Sequence, residues 1–180
     1  TFPTRRSSDL FMKASALSEK GKKQMKNLAS KIGKGAELAF FYYSAYAHFG
    51  AQKYEQARES LNFILTNNYG ETRIDLQCFA RIFNLMIRYE MGLIKSLERA
   101  AADAEDFFIK KDKIYQIERI IINLFRELAV ARTGDENTNT QRVFKKFKRK
   151  LYVAAREKYA DNFDEFHHFM WCIAEKTGVK

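Results

Sequence analysis

Residues that interrupt helices or cross-link a chain are scarce in this sequence. Its 180 residues include one proline, Pro3, and eight glycines, and no stretch shows the period-two alternation of a half-buried strand. The two cysteines, Cys78 and Cys172, lie far apart, so they provide no disulfide framework and favour a reducing compartment. No apolar run reaches the ~18 residues that a membrane-spanning helix needs. These absences predict an all-α, cytoplasmic protein without a membrane span.

The motifs of the common enzyme classes are also missing. The sequence contains no glycine-rich phosphate loop, no Gly-x-Ser-x-Gly elbow and no His-Glu-x-x-His helix. Acid pairs such as Glu105 and Asp106 fall on solvated helix faces, with no apolar pocket evident beside them. His168 and Cys172 have a metal-binding spacing, but two ligands are fewer than a zinc site requires. We therefore expect no enzyme activity, no metal and no cofactor.

The spacing of apolar side chains over residues 41–65 predicts two antiparallel helices joined by about four residues. Gly50 ends the first helix, and the small side chains of Ala45 and Ala57 let the two backbones approach. His48 lies on the packing side, where we expect a buried, hydrogen-bonded imidazole. The two apolar stripes consist of Phe41, Ala45 and Phe49, and of Tyr54, Ala57, Leu61, Ile64 and Leu65.

This order of aromatic and small residues resembles a tetratricopeptide repeat, with Ala45 and Gln52 at two of the family's glycine positions. The resemblance implies a TPR-like α-solenoid of about eight helices, in which stacked hairpins line a groove that binds peptides or proteins. It implies that Tyr42, Tyr46 and Phe49 contact the partner. Family members that clamp a C-terminal carboxylate have Lys and Asn on this helix, so the tyrosines favour apolar or backbone-directed contacts. Residues 73–113 also resemble part of a group of bacterial proteins of this class.

Two later helices each carry a narrow polar stripe. The first is predicted over Thr72–Met91 with Thr72 as its N-cap, and Asp112 is expected to cap the second. Arginine forks and amides can bind carboxylates and peptide backbone, although an ordinary solvated face is the alternative, and Glu118 and Glu127 could neutralise the second stripe. The groove candidates are Gln77, Arg81, Asn84 and Arg88 on the first helix, and Arg119, Asn123 and Arg126 on the second.

Positive charge is concentrated near the ends of the chain. The net charge is +7 over residues 1–35, −2 over residues 36–141 and +5 over residues 142–180. The basic residues of the last region alternate with Phe144 and Phe147, whose helical spacing favours packing in a core. Nucleic-acid binding through this patch is one alternative function, and a purely structural segment of a larger regulatory protein is another. The patch consists of Lys145, Lys146, Lys148, Arg149 and Lys150.

The predicted domain order begins with a segment that does not belong to the fold. Residues 2–10 resemble the translation of a common sequencing adapter, so we expect residues 1–10 to be a disordered artefact and the native N-terminus to be missing. A lysine-rich helix over Ala14–Lys31 is expected to end a truncated repeat. The predicted order is 11–132 as helical repeats, 133–140 as a loop and 141–180 as capping helices, the last helix spanning Asn162–Lys176.

Overall fold

The computed structural model describes residues 5–28, 31–112, 116–131 and 136–156. Within these ranges every regular element is an α-helix, which confirms the predicted all-α class. The predicted last helix lies outside the described residues, and seven helices lie within them. They are α1 (Arg5–Leu28), α2 (Lys34–Gly50), α3 (Tyr54–Thr66), α4 (Ile74–Glu90), α5 (Ile94–Lys110), α6 (Gln116–Ala131) and α7 (Glu136–Arg156).

The chain divides into two compact units between Met91 and Gly92. In the first unit, α1 packs on α2, α2 on α3 and α3 on α4, and α4 also contacts α2. In the second unit, α5 packs on α6 and α6 on α7. The predicted order of repeats, loop and capping helices, with its division near residue 132, stays a prediction.

The α2–α3 hairpin is formed as predicted. The rings of Phe41 and Phe63 stack with centroids 3.8 Å apart, and those of Phe49 and Tyr54 lie 5.3 Å apart near the turn. The inner alanines of the two helices, Ala45 and Ala57, are fully buried. Small residues at the crossing and aromatic residues on either side of it therefore hold the two helices together.

The turn after α2 closes through a backbone conformation that favours glycine. Gln52 has a φ of 60°, and its N–H donates to the Phe49 carbonyl at 2.9 Å, while the Lys53 N–H donates to the His48 carbonyl at 2.8 Å. This pair of hydrogen bonds is a Schellman motif, in which the residue after the C-cap is left-handed. Gln52 therefore has a backbone conformation that glycine adopts more readily than any residue with a Cβ atom.

Asp112 occupies the equivalent position after α5. Its φ is 51°, and its N–H donates to the Ile109 carbonyl at 3.1 Å. The prediction that Asp112 caps α6 was wrong, because α6 begins at Gln116 and the left-handed Asp112 ends the preceding helix.

Helix α1 packs on α2 where two glycines leave space for aromatic rings. A Cβ atom at Gly21 would lie 2.8 Å from the Phe40 ring, and one at Gly50 would collide with the Phe11 ring. The Phe11 ring also meets Tyr46 edge-on, with centroids 5.6 Å apart. These contacts pair the start of α1 with the end of α2, so the two helices are antiparallel.

Three predicted helix starts were wrong. Helix α1 begins at Arg5, so residues 5–10 are helical rather than disordered, because neither proline nor glycine interrupts the chain from Thr4 to Lys20. Thr72 does not cap α4, since Arg73 precedes that helix with a left-handed φ of 46°. Helix α7 begins at Glu136, so residues 136–140 are helical rather than part of the predicted loop, and an acidic first residue suits a helix N-terminus.

Candidate functional site

Helices α2 and α4 run side by side in the same direction. The Tyr42 ring lies 6.5 Å from the Phe79 ring and 6.2 Å from the Phe83 ring, measured between centroids. About two turns further along α2, the Phe49 ring lies 5.2 Å from the Phe83 ring. The aromatic contacts thus join α2 to α4 within the first unit, and the face of α2 that carries Tyr43 is left accessible.

The three aromatic residues predicted to line a groove serve mainly to join helices. Tyr42 contacts α4, Tyr46 contacts Phe11 of α1, and Phe49 contacts both Tyr54 of α3 and Phe83 of α4. Each of the three is half-buried. Only part of each ring is therefore available to a partner.

Tyr43, which sequence reasoning missed, is the exposed aromatic residue of α2. Its side chain is 61% exposed, and the neighbouring Tyr42 ring meets it edge-on with centroids 5.6 Å apart. Ala36 and Ala39 precede it by seven and four residues, so these small side chains share its face of the helix. Their spacing is the sequence signal that could have identified this surface.

Arg73 and Asp75, at the start of α4, form the charged border of this surface. The Arg73 Nη2 donates to the Asp75 Oδ2 at 2.7 Å, and its Nε donates to Oδ1 at 3.0 Å. This hydrogen bonding lowers the pKa of Asp75 and raises the pKa of Arg73. An electrostatic interaction with the nearby Tyr43 raises the pKa of Arg73 by a smaller amount. The Arg73 side chain lies beside Gly35 of α2, where an added Cβ atom would be 3.6 Å from it. The Tyr43 face is defined as Gly35, Ala36, Ala39, Tyr43, Arg73 and Asp75.

The polar stripe of α4 is hydrogen-bonded within its own unit. The buried amide of Gln77 donates to the Thr72 carbonyl at 2.7 Å and to the Gly70 carbonyl at 3.2 Å, which stabilises the turn before α4. The Arg81 Nη1 donates to the Gln77 carbonyl at 2.8 Å. Burial lowers the pKa of Arg81 to about 10.

The second half of this stripe has the same organisation. The Arg88 Nε donates to the Asn84 Oδ1 at 3.3 Å, and Asn84 is buried while Arg88 is half-buried. Gln77 and Asn84 thus support the helix from inside, and Arg81 and Arg88 are the members of the stripe with accessible surface.

In the second unit, the structure brings the α6 stripe next to the α7 patch. Arg126 of α6 donates to Glu105 of α5 at 2.6 Å. The Lys146 Nζ of α7 donates to both carboxylate oxygens of Glu127, at 2.8 and 2.9 Å. Glu118, expected as a possible neutralising acid, is buried. Arg119 and Asn123 are exposed on the same helix.

The basic residues of the α7 patch lie next to two buried aromatic residues in the sequence of the helix. Phe144 and Phe147 are buried, which confirms that their spacing reflects packing. The ammonium groups of Lys146 and Lys150 lie 5.8 and 5.1 Å from the Phe147 ring centroid. Lys145 and Arg149 are exposed, and Lys148 is half-buried.

A buried polar cluster joins α1 to α2. The His48 Nδ1 and the Ser15 Oγ share a hydrogen bond of 2.9 Å, and both side chains are fully buried. The His48 Nε2 lies 3.1 Å from the Glu19 Oε1, without hydrogen-bond alignment. Burial lowers the pKa of His48, and the charge of Lys22 lowers it further. Ser, His and Glu also form hydrolase triads, but the buried Ser15 hydroxyl cannot reach a substrate, so this cluster is structural.

Among the described residues, no group of three or more His, Cys, Asp or Glu side chains could hold a metal ion. The His168–Cys172 pair lies outside those ranges. Cys78 is buried, as expected. None of the described helices combines the length and apolarity needed to cross a membrane.

Comparisons with known proteins identify no function for the chain, so a functional proposal has to rest on the geometry of the described residues. No protein-family model, curated protein sequence or solved structure matches the chain significantly. The resemblance to tetratricopeptide repeats therefore stays a prediction, and the Tyr43 face and the cationic residues of α6 and α7 are the candidate functional surfaces.

Proposed function

We propose that the first unit is a protein-binding scaffold module that uses the Tyr43 face to bind a segment of another protein. The observation that carries this proposal is the exposure of Tyr43, 61%, on a helix whose other aromatic side chains are half-buried. In this proposal the unit acts by binding and needs neither catalysis nor a cofactor. The wide separation of Cys78 and Cys172 in the sequence suits a reducing compartment such as the cytoplasm.

The composition of the Tyr43 face suits protein recognition. Tyrosine and arginine are enriched among the residues that dominate binding energy, because both bury large surfaces and also form hydrogen bonds. Gly35, Ala36 and Ala39 add small residues to this face, and Ala36 is exposed. Arg73 and Asp75 can bind polar groups of the partner's backbone at the border.

The position of this face on the fold also supports the proposal. Tyr43 lies on a helix held by α1, α3 and α4 together, so its backbone is fixed before a partner binds. A fixed binding surface loses little conformational entropy on association. The resemblance to tetratricopeptide repeats points to the same face, since partners of that family contact the first helix of each hairpin.

A peptide selection followed by measured affinities tests this proposal. A random peptide library displayed on phage is selected against the full chain, and the enriched peptides are synthesised and titrated by calorimetry. We expect Tyr43→Ala to weaken binding at least tenfold, because a central aromatic contact is worth about 2 kcal/mol or more. Tyr43→Phe should retain most of the affinity, and both variants should melt at the wild-type temperature because the side chain is exposed.

The matched control removes an exposed side chain from another helix of the same unit. Gln56→Ala on α3 should leave peptide affinity unchanged. Failure to enrich any peptide, or equal affinity of the enriched peptides for wild type and Tyr43→Ala, would overturn the proposal.

A further inference from the structure

The second unit carries a cationic surface. Its residues belong to two features that are separate in the sequence, the polar stripe of α6 and the basic patch of α7. Helix α7 packs on α6, and Lys146 of α7 pairs with Glu127 of α6. This packing puts the exposed cations of α7 beside the polar stripe of α6. Because consecutive packed helices joined by a short connection are antiparallel, Asn123 lies beside the turn that carries Lys150. The α6–α7 cationic surface is defined as Arg119, Arg142, Lys145, Lys146, Arg149 and Lys150.

This surface has few compensating acids. Glu127 is paired with Lys146, and Glu105 is paired with Arg126 at its edge. Among the described residues, Arg119, Arg142, Lys145 and Arg149 form no ion pair, and all four are exposed. Over the described residues, the surface therefore carries a net positive charge, which attracts an anionic partner.

The surface also lacks the side chains on which other partners would depend. On α6 and α7, the large apolar side chains that the structure shows as strongly exposed are Val130, at 72%, and Val153, at 58%. An acidic amphipathic helix gains most of its affinity from buried apolar anchors, for which two valines offer little area. Unstacked bases need exposed aromatic rings, and the aromatic residues of α7 that the structure describes, Phe144 and Phe147, are buried.

We propose that the α6–α7 cationic surface binds the phosphate backbone of a double-stranded nucleic acid without reading its bases. The exposed cations recur about once per helical turn from Arg142 to Lys150, a length of about 12 Å. Over that length one strand of a duplex carries about three to four phosphates. The binding rests on the second unit alone and does not depend on the function proposed for the first.

Fluorescence anisotropy with labelled DNA tests this inference. The full chain is titrated into two 20-base-pair duplexes of unrelated sequence, at 50 and 200 mM salt. We expect equal affinities for the two duplexes and a loss of about 50-fold or more between the two salt concentrations, as for about three or more phosphate contacts. The double variant Lys145→Glu/Arg149→Glu should bind at least tenfold more weakly at 50 mM salt.

The control carries the same change of net charge on another face. Lys95→Glu/Lys110→Glu replaces two exposed lysines of α5 and should lower affinity less than threefold, with wild-type circular dichroism for both double variants. Absence of binding at 50 mM salt, equal losses in the two double variants, or a tenfold preference for one duplex would overturn the inference. It would also fail if a poly-glutamate peptide displaced the DNA at equal total charge, since that result indicates an acidic protein partner.

Discussion

At the scale of single residues, Gln52 has a backbone conformation that costs free energy for any residue with a Cβ atom. Its φ of 60° closes the α2–α3 turn, and the left-handed region costs roughly 1–2 kcal/mol for an L-residue. The side chain is exposed, so replacing it sacrifices little packing.

We therefore expect Gln52→Gly to raise the free energy of unfolding by about 0.5–1 kcal/mol, after allowance for the flexibility that glycine adds to the unfolded chain. In a chain of this size the melting temperature should rise by about 1–4 °C. Gln56→Gly on the exposed side of α3 is the matched control, and it should lower stability by about 1 kcal/mol. Thermal melts that showed both variants destabilised would contradict the strain at Gln52.

His48 makes the stability of the first unit depend on pH. Burial lowers its pKa below the ordinary value of 6.5, with a further decrease from Lys22 and a smaller one from Lys53, while Glu19 acts in the opposite direction. Since the unfolded chain binds the proton more tightly than the folded chain does, the stabilisation is complete above about pH 6.5 and is lost as the pH falls through the folded pKa.

The expected result is a melting temperature that is several degrees lower at pH 5.5 than at pH 7.5. His48→Gln removes the titrating group, so its melting temperature should change less over the same interval even if the variant is less stable throughout. Calorimetric scans at both pH values test this, and an equal change in wild type and variant would assign the pH dependence to other groups.

At the scale of helices, Gly50 determines how closely α1 can approach α2. A Cβ atom at Gly50 would collide with the body of the Phe11 ring, whereas one at Gly21 would meet only the far edge of Phe40. The ring edge of Phe40 can shift, but Phe11 is also held by Tyr46.

Gly50→Ala should accordingly cost about 1–3 kcal/mol, the usual penalty for overpacking, and Gly21→Ala should cost less. The cost of Gly50→Ala should shrink in a Phe11→Ala background, because the colliding ring is then absent. Urea denaturation of the four chains in this cycle measures the coupling, and additive effects would show that Gly50 and Phe11 do not restrict each other.

Also at this scale, the sequence predicts which segments are helical better than it predicts which side chains remain exposed. Apolar periodicity identified the α2–α3 hairpin, since the same spacing that forms the stripe also buries it. Periodicity could not separate Tyr42 from Tyr43, because a rotation of one residue decides which ring faces α4. The Ser15–His48 hydrogen bond joins residues 33 positions apart, and no local pattern signals such a pair.

At the scale of the whole molecule, the two candidate surfaces belong to different units. The Tyr43 face is formed by α2 and the start of α4, and the cationic surface by α6 and α7. Net charge by sequence region indicated the basic end of the chain, because charge is additive along a sequence. The division between Met91 and Gly92 depends on contacts between helices, which no local pattern in the sequence reports.

The left-handed residue that follows a helix has a further consequence for how such chains are recognised. The positions after α2, α4 and α5 hold Gln52, Gly92 and Asp112, all with positive φ. The same left-handed conformation thus recurs with three different residues, of which one is a glycine. A sequence pattern that requires glycine at this place would detect one of the three turns. It would therefore underestimate how many such turns a chain contains.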